Sequence, residues 1–148
     1  MKIEIDQNGK IENTSKHTYL AFSNKKSCII KLTGKTKRQL QEIFRRRGKP
    51  RLFVYRVFAC LIFVLIKHHL KKIQIIIIDK EYPGKEYLIK DILLEQIRKH
   101  NLKEPEIKFA NIGKHSKAHY LANGAANNKI KPEKIIKLEE IKKFAIKK

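Results

Sequence analysis

The chain has 148 residues, with 35 Lys and Arg against 14 Asp and Glu, for a formal net charge of +21. Its apolar fraction of 42% is ordinary for a packed domain, so the charge does not come with a disorder-like composition. Two cysteines without a CxxC pair exclude a disulfide framework and a cysteine zinc finger, and point to a reducing, cytoplasmic setting.

The start reads as a meander of three antiparallel strands. Ile3 and Ile5 alternate with Lys2, Glu4 and Asp6, a period of two, with Asp6 closing the strand. Gln7-Asn8-Gly9-Lys10 is turn chemistry. Residues 18–22 and 28–32 are two more short apolar runs, with Asn24-Lys25-Lys26 between them as a hairpin loop. Thr36 is expected to cap a helix over 37–44, which carries Leu40, Ile43 and Phe44 on one face. Arg45-Arg46-Arg47-Gly48-Lys49-Pro50 interrupts it. A second helix is expected over 51–69, apolar almost all round and therefore sandwiched between other elements. Its unbroken apolar run, 57–66, is too short to cross a membrane, which takes about 20 residues.

Residues 73–78, polar only at Gln74, predict a strand buried on both faces and ended by Asp79. An amphipathic helix follows over 84–100, then a strand over 106–112. Ser116 is expected to cap a helix through Ala118, Leu121, Ala122 and Ala125, and Pro132 to start a final helix with Ile141 and Phe144. The order βββαβαβαα predicts an α/β domain with a mixed sheet and helices on its faces.

The chain has three aspartates, and two of them, Asp6 and Asp79, end predicted strands. Ligands of open sheets gather beyond the carboxyl ends of parallel strands. If the two strands are neighbours, the carboxylates stand side by side and suit Mg²⁺ or Mn²⁺. Taken singly, each Asp equally suits the start of a turn. His119 falls in the first turn of the helix after the last strand, where it would ligate a metal, relay a proton or simply face solvent.

The element order, the two strand-ending aspartates and Gly113-x-His115 followed by Ala118-His119-x-Leu121-Ala122 resemble the ribonuclease H-like superfamily. The resemblance spans about residues 1–128 and leaves 129–148 as a C-terminal helical extension. It implies a mixed five-stranded sheet and an acidic cluster that holds divalent metals for phosphodiester cleavage. Asp6 and Asp79 match that family's first- and fourth-strand aspartates, and His119 stands where its last aspartate would be. The family's helix glutamate has no clean counterpart: Glu42 is separated from Asp79 by the basic segment and the apolar helix, while Glu4, Glu81 and Glu86 are spare acids among which the sequence does not choose. The resemblance thus implies either a Mg²⁺- or Mn²⁺-dependent nuclease acting on structured or duplex nucleic acid, with Asp6, Asp79 and His119 as catalytic and metal residues, or a non-catalytic nucleic-acid-binding protein on a degenerate form of the fold.

The cations bear on the partner. Lys35, Lys37, Arg38, Arg45, Arg46, Arg47, Lys49 and Arg51 form a dense basic segment. Lys114, His115 and Lys117 flank the suspected site, and Lys142, Lys143, Lys147 and Lys148 end the chain. Such a distribution favours a polyanion, DNA or RNA first, then an anionic membrane surface. A solvated, Lys-rich face is the alternative. A homodimer is compatible with all of these.

Overall fold

The computed structural model describes residues 1–146; Lys147 and Lys148, counted above among the terminal cations, lie outside the described residues. The period-two start builds β1 (Lys2–Asn8), with Ile3 and Ile5 buried. With β2 (Thr18–Ser23) and β3 (Ser27–Leu32) it forms the expected antiparallel meander. β1 outruns its expected end: Asp6 to Asn8 still pair with β2, opposite Ala21, Leu20 and Tyr19. Gly9 then turns the chain at φ +84°, and a Cβ there would lie 2.2 Å from the His17 carbonyl oxygen. Left-handed backbone and a clash with main chain act together, so Gly9→Ala should cost about 2 kcal/mol or more and lower Tm by several degrees in a thermal melt.

The helix α1 (Gly34–Arg46) is capped by Thr33 rather than Thr36. Thr33 has extended backbone, and its Oγ1 accepts from the Thr36 N–H at 3.2 Å, which satisfies one of the free donors of the first turn. The apolar helix is shorter than expected at both ends. A 3₁₀ turn occupies Pro50–Leu52, and α2 (Phe53–Ile66) stops where Lys67-His68-His69 turn polar. Then come β4 (Ile75–Asp79), α3 (Glu86–Lys99), β5 (Glu106–Ala110), α4 (Lys117–Ala126), β6 (Lys134–Ile135) and α5 (Leu138–Ala145). Among the described residues no helix is long and apolar enough to cross a membrane.

The sheet has six strands rather than five, in the order β5-β4-β1-β2-β3-β6. The sixth arises because β3 would otherwise be an edge. Residues after Pro132 run extended instead of helical, donating Glu133 N to Ile29 O and Ile136 N to Lys31 O, while Glu133 Oε2 accepts from Ile29 N at 2.5 Å. The final helix therefore starts at Leu138, and its Ile141 and Phe144 join the main core. β4 and β5 run parallel to β1 and to each other.

Two layers of helix cover the sheet unequally. On one face Ile3, Ile5, Leu20, Phe22, Ile76 and Ile78 pack under α2, with α1, α3 and α5 closing the core. This explains the all-round apolar α2: sheet lies on one side, α3 and α5 on others. Its single ion, buried Arg56, donates from Nε to the Ala145 carbonyl at 2.6 Å, at the end of α5. On the other face α4 alone sets Leu121, Ala122 and Ala125 against Tyr19, Ala21 and Ile29. It packs on β1, β2 and β3, so Ile75 and Ile77 of β4 are only half-buried, against the expectation of a strand buried on both faces.

Candidate metal centre

The parallel register of β1 and β4 decides the geometry. Ile5 is level with Ile78, so the next residues, Asp6 and Asp79, come level on the same face, the one α4 covers. Two residues further, Glu81 swings to the same side. One carboxylate oxygen from each of Asp6, Asp79 and Glu81 lies within 4.8 Å of the others.

Asp6 is 4% exposed. Its Oδ1 accepts from the Gln7 N–H at 2.8 Å, and its Oδ2 lies 2.8 Å from His119 Nδ1. With the proton on Nδ1, His119 donates to Asp6 and keeps Nε2 as the free lone pair. Asp79 Oδ1 accepts from the Ile112 N–H at 2.7 Å, which ties the loop after β5 to the end of β4. Burial raises the Asp6 carboxyl, and Asp79 adds to this, against the opposing pull of the Gln7 N–H and His119. Glu81 is pushed up to about 8, by burial first and then by its hydrogen bond to Asp79 and the charges of Asp79 and Asp6. The Lys10 ammonium donates to the Glu81 carbonyl at 3.0 Å and sits 5.3 Å from the centre of the Tyr82 ring.

The structure thus brings Asp79 together with Asp6, sets His119 against Asp6 alone, outside the three-carboxylate group, and chooses one of the spare acids. Glu81 joins the cluster; Glu4 accepts instead from Ser116 Oγ at 3.1 Å, and Glu86 accepts from the Gly84 N–H of its own turn. Glu42 is on α1 in the opposite layer, paired with Arg46 at 3.3 Å. No local pattern marks Glu81: β4 ends at Asp79, and Glu81 is placed by the tight turn in which its N–H donates to the Asp79 carbonyl at 2.8 Å.

The basic segment is corrected in part. Lys37 is no phosphate contact: it is fully buried, and its ammonium donates to the carbonyls of Lys10 and Asn13 and to Thr18 Oγ1 at 2.8–3.1 Å. Burial lowers it to about 8. Arg38 donates to the Thr14 carbonyl at 2.7 Å, and Arg46 holds Glu42. Arg47 and Lys49 line a cleft of about 540 Å³ with Leu88, Asp91 and Glu95 of α3, on the face away from α4. Lys35, Arg45 and Arg51 are exposed. The exposed Lys114, His115 and Lys117, by contrast, sit in the loop and first turn that carry His119. No protein-family model, no curated protein and no solved structure matches the chain.

Proposed function

We propose that this chain is a divalent-metal-dependent nuclease on a ribonuclease H-like fold, cleaving phosphodiester bonds in structured or duplex nucleic acid. The observation that carries the reading is the meeting of three carboxylates from β1, β4 and the segment after it, in a chain with 14 Asp and Glu against 35 Lys and Arg. A meander with two parallel strands added beside β1 supports the fold reading.

An all-oxygen set suits Mg²⁺ or Mn²⁺ rather than a soft metal. Asp6, Asp79 and Glu81 would hold the ion, and His119 would support the site through its hydrogen bond to Asp6. When bound, the ion supplies Lewis-acid stabilisation of a phosphoryl oxygen and a more acidic water. The chain's own groups do the rest. The Gln7 N–H and His119 hold Asp6 in one orientation, and the Ile112 N–H does the same for Asp79. His119 Nε2 offers a place to hold a proton at the edge of the cluster. Lys114 and Lys117 place cations, and His115 a hydrogen-bonding ring, where a phosphate backbone would pass.

The wild-type protein should cut at least one of DNA, RNA, hybrid or junction substrates in Mg²⁺ or Mn²⁺, and EDTA should stop it. No cleavage of any of the four with either ion overturns the reading. Binding should weaken steeply with salt, and Lys114→Ala and Lys117→Ala should each reduce the slope of log K against log salt by about 1.

A second reading is a nucleic-acid-binding protein without catalysis. Two observations favour it: His119 stands where the resemblance has an aspartate, and α2 contains no acid. It expects salt-sensitive binding that is indifferent to EDTA.

A further inference from the structure

We infer that Tyr120, with Lys117 one turn before it, is a stacking platform for an unpaired base beside the scissile phosphate, so that the substrate meets the acidic edge as a single-stranded segment of a structured nucleic acid. The inference rests on the nuclease reading for the identity of the polyanion and adds to it the state of the strand.

Of the five tyrosines, Tyr19 and Tyr82 are buried, and Tyr55 is half-buried with its ring edge-on to Tyr82. Tyr87 and Tyr120 are 85% and 65% exposed. A single exposed aromatic is ordinary; the address of Tyr120 is what matters. It is the chain neighbour of His119, whose ring lies against Asp6. Successive helical residues point about 100° apart, so with His119 turned to Asp6 the next side chain, Tyr120, points away from it to the solvent side of α4. The stripe of α4 that packs on the sheet is Leu121, Ala122 and Ala125, which leaves Tyr120 on the outward stripe. Lys117 is exposed three residues earlier, on that same outward stripe, and Lys114 and His115 are exposed just before it.

An aromatic face with an ammonium one turn away is the pairing that single-strand binders use, the base stacking on the ring while the backbone meets the cation. A continuous duplex hides its base faces within the stack, so it offers this ring nothing to lie on except at its ends. An unpaired nucleotide within one or two positions of the bond to be cut does. Neither the carboxylates nor the lysines distinguish paired from unpaired strands, whereas the ring does.

The test is binding, read by fluorescence anisotropy in EDTA so that no strand is cut. The probes are a short labelled single strand of DNA or RNA and a blunt duplex of the same sequence. Tyr120→Ala should weaken single-strand binding about tenfold and leave duplex binding unchanged. Tyr120→Phe, which keeps the ring, should retain wild-type affinity. Tyr87→Ala, on α3 in the opposite layer, should change neither. Equal loss on both probes, no loss on either, or a loss for Tyr87→Ala as large as for Tyr120→Ala would overturn the platform. The two readings fail separately. A wild type that cuts nothing but shows the Tyr120 pattern supports the platform and removes the nuclease. A wild type that cuts while Tyr120→Ala binds single strands normally removes the platform alone.

Discussion

Asp79→Asn should abolish cleavage in Mg²⁺ or Mn²⁺ and leave the protein folded. Asparagine keeps an oxygen at the position that accepts the Ile112 N–H, so the tie between the loop after β5 and the end of β4 survives. What is lost is the charge. Removing a group that only supports a ligand typically costs about 10–100-fold in metal affinity or activity, so losing a ligand itself should cost well over 100-fold. His119→Ala supplies the comparison, because its Nδ1 is spent on Asp6. It should fall within that supporting range, well short of the loss in Asp79→Asn. Stability should move the other way from activity. Asp79 is one of the charges that raise the Asp6 carboxyl, so its neutralisation relieves repulsion and the metal-free variant should melt at or above the wild-type temperature. Far-ultraviolet circular dichroism and a melt establish the fold; a metal-dependent digestion measures the loss. Wild-type cleavage by folded Asp79→Asn would place the chemistry elsewhere.

The contrast between Asp79 and Glu81 shows how far the sequence carries. Both aspartates were legible because each follows the isoleucines of its strand, Asp6 inside β1 and Asp79 as the last residue of β4, and such polar ends are where sheets of this kind gather their chemistry. Whether they meet depends on β1 and β4 being neighbours, and that pairing joins residues more than seventy positions apart. No local pattern encodes it. Glu81 was visible only as one acid among several, because a residue just beyond a strand end is placed by the turn it enters. Lys37 is the opposite case. It stands three residues before Leu40 and seven before Phe44, on the buried stripe of α1, so helical periodicity did mark it as inward-facing. Its charge obscured that, and the partners that make burial tolerable, the carbonyls of Lys10 and Asn13, come from a loop more than twenty residues away. β6 lay beyond reach for a third reason. A two-residue strand has no period, and it exists because the edge of β3 and the Glu133 carboxylate supply its bonds.

The same carboxylates should make the metal-free protein lose stability as pH rises towards 8, and make metal restore it. Glu81 gives up its proton near 4.5 in the unfolded chain but is pushed up to about 8 in the folded one. Between those values the folded state binds more protons than the unfolded state, so stability falls with rising pH. The contribution is complete below about 4.5 and is lost through about 8. The raised Asp6 carboxyl acts in the same direction. Glu81 is only half-buried, so solvent screening holds the loss to the order of 2 kcal/mol. Glu81→Gln isolates the part of the slope that belongs to Glu81. Glutamine does not titrate, so the variant should lack this part of the slope and exceed the wild type in metal-free stability at pH 8. Metal needs the deprotonated cluster, so Mg²⁺ or Mn²⁺ should raise the wild-type melting temperature more at pH 8 than at pH 6. At a hundred times Kd the gain is about 2.7 kcal/mol. Glu81→Gln should forfeit most of that gain. Melts with and without EDTA at the two pH values measure all of it. The same increment at both pH values, or the same pH slope in Glu81→Gln as in wild type, would remove Glu81 from the metal site. The proton that stabilises the metal-free cluster is the one an ion must displace, so acid stability and metal affinity oppose each other at this edge of the sheet.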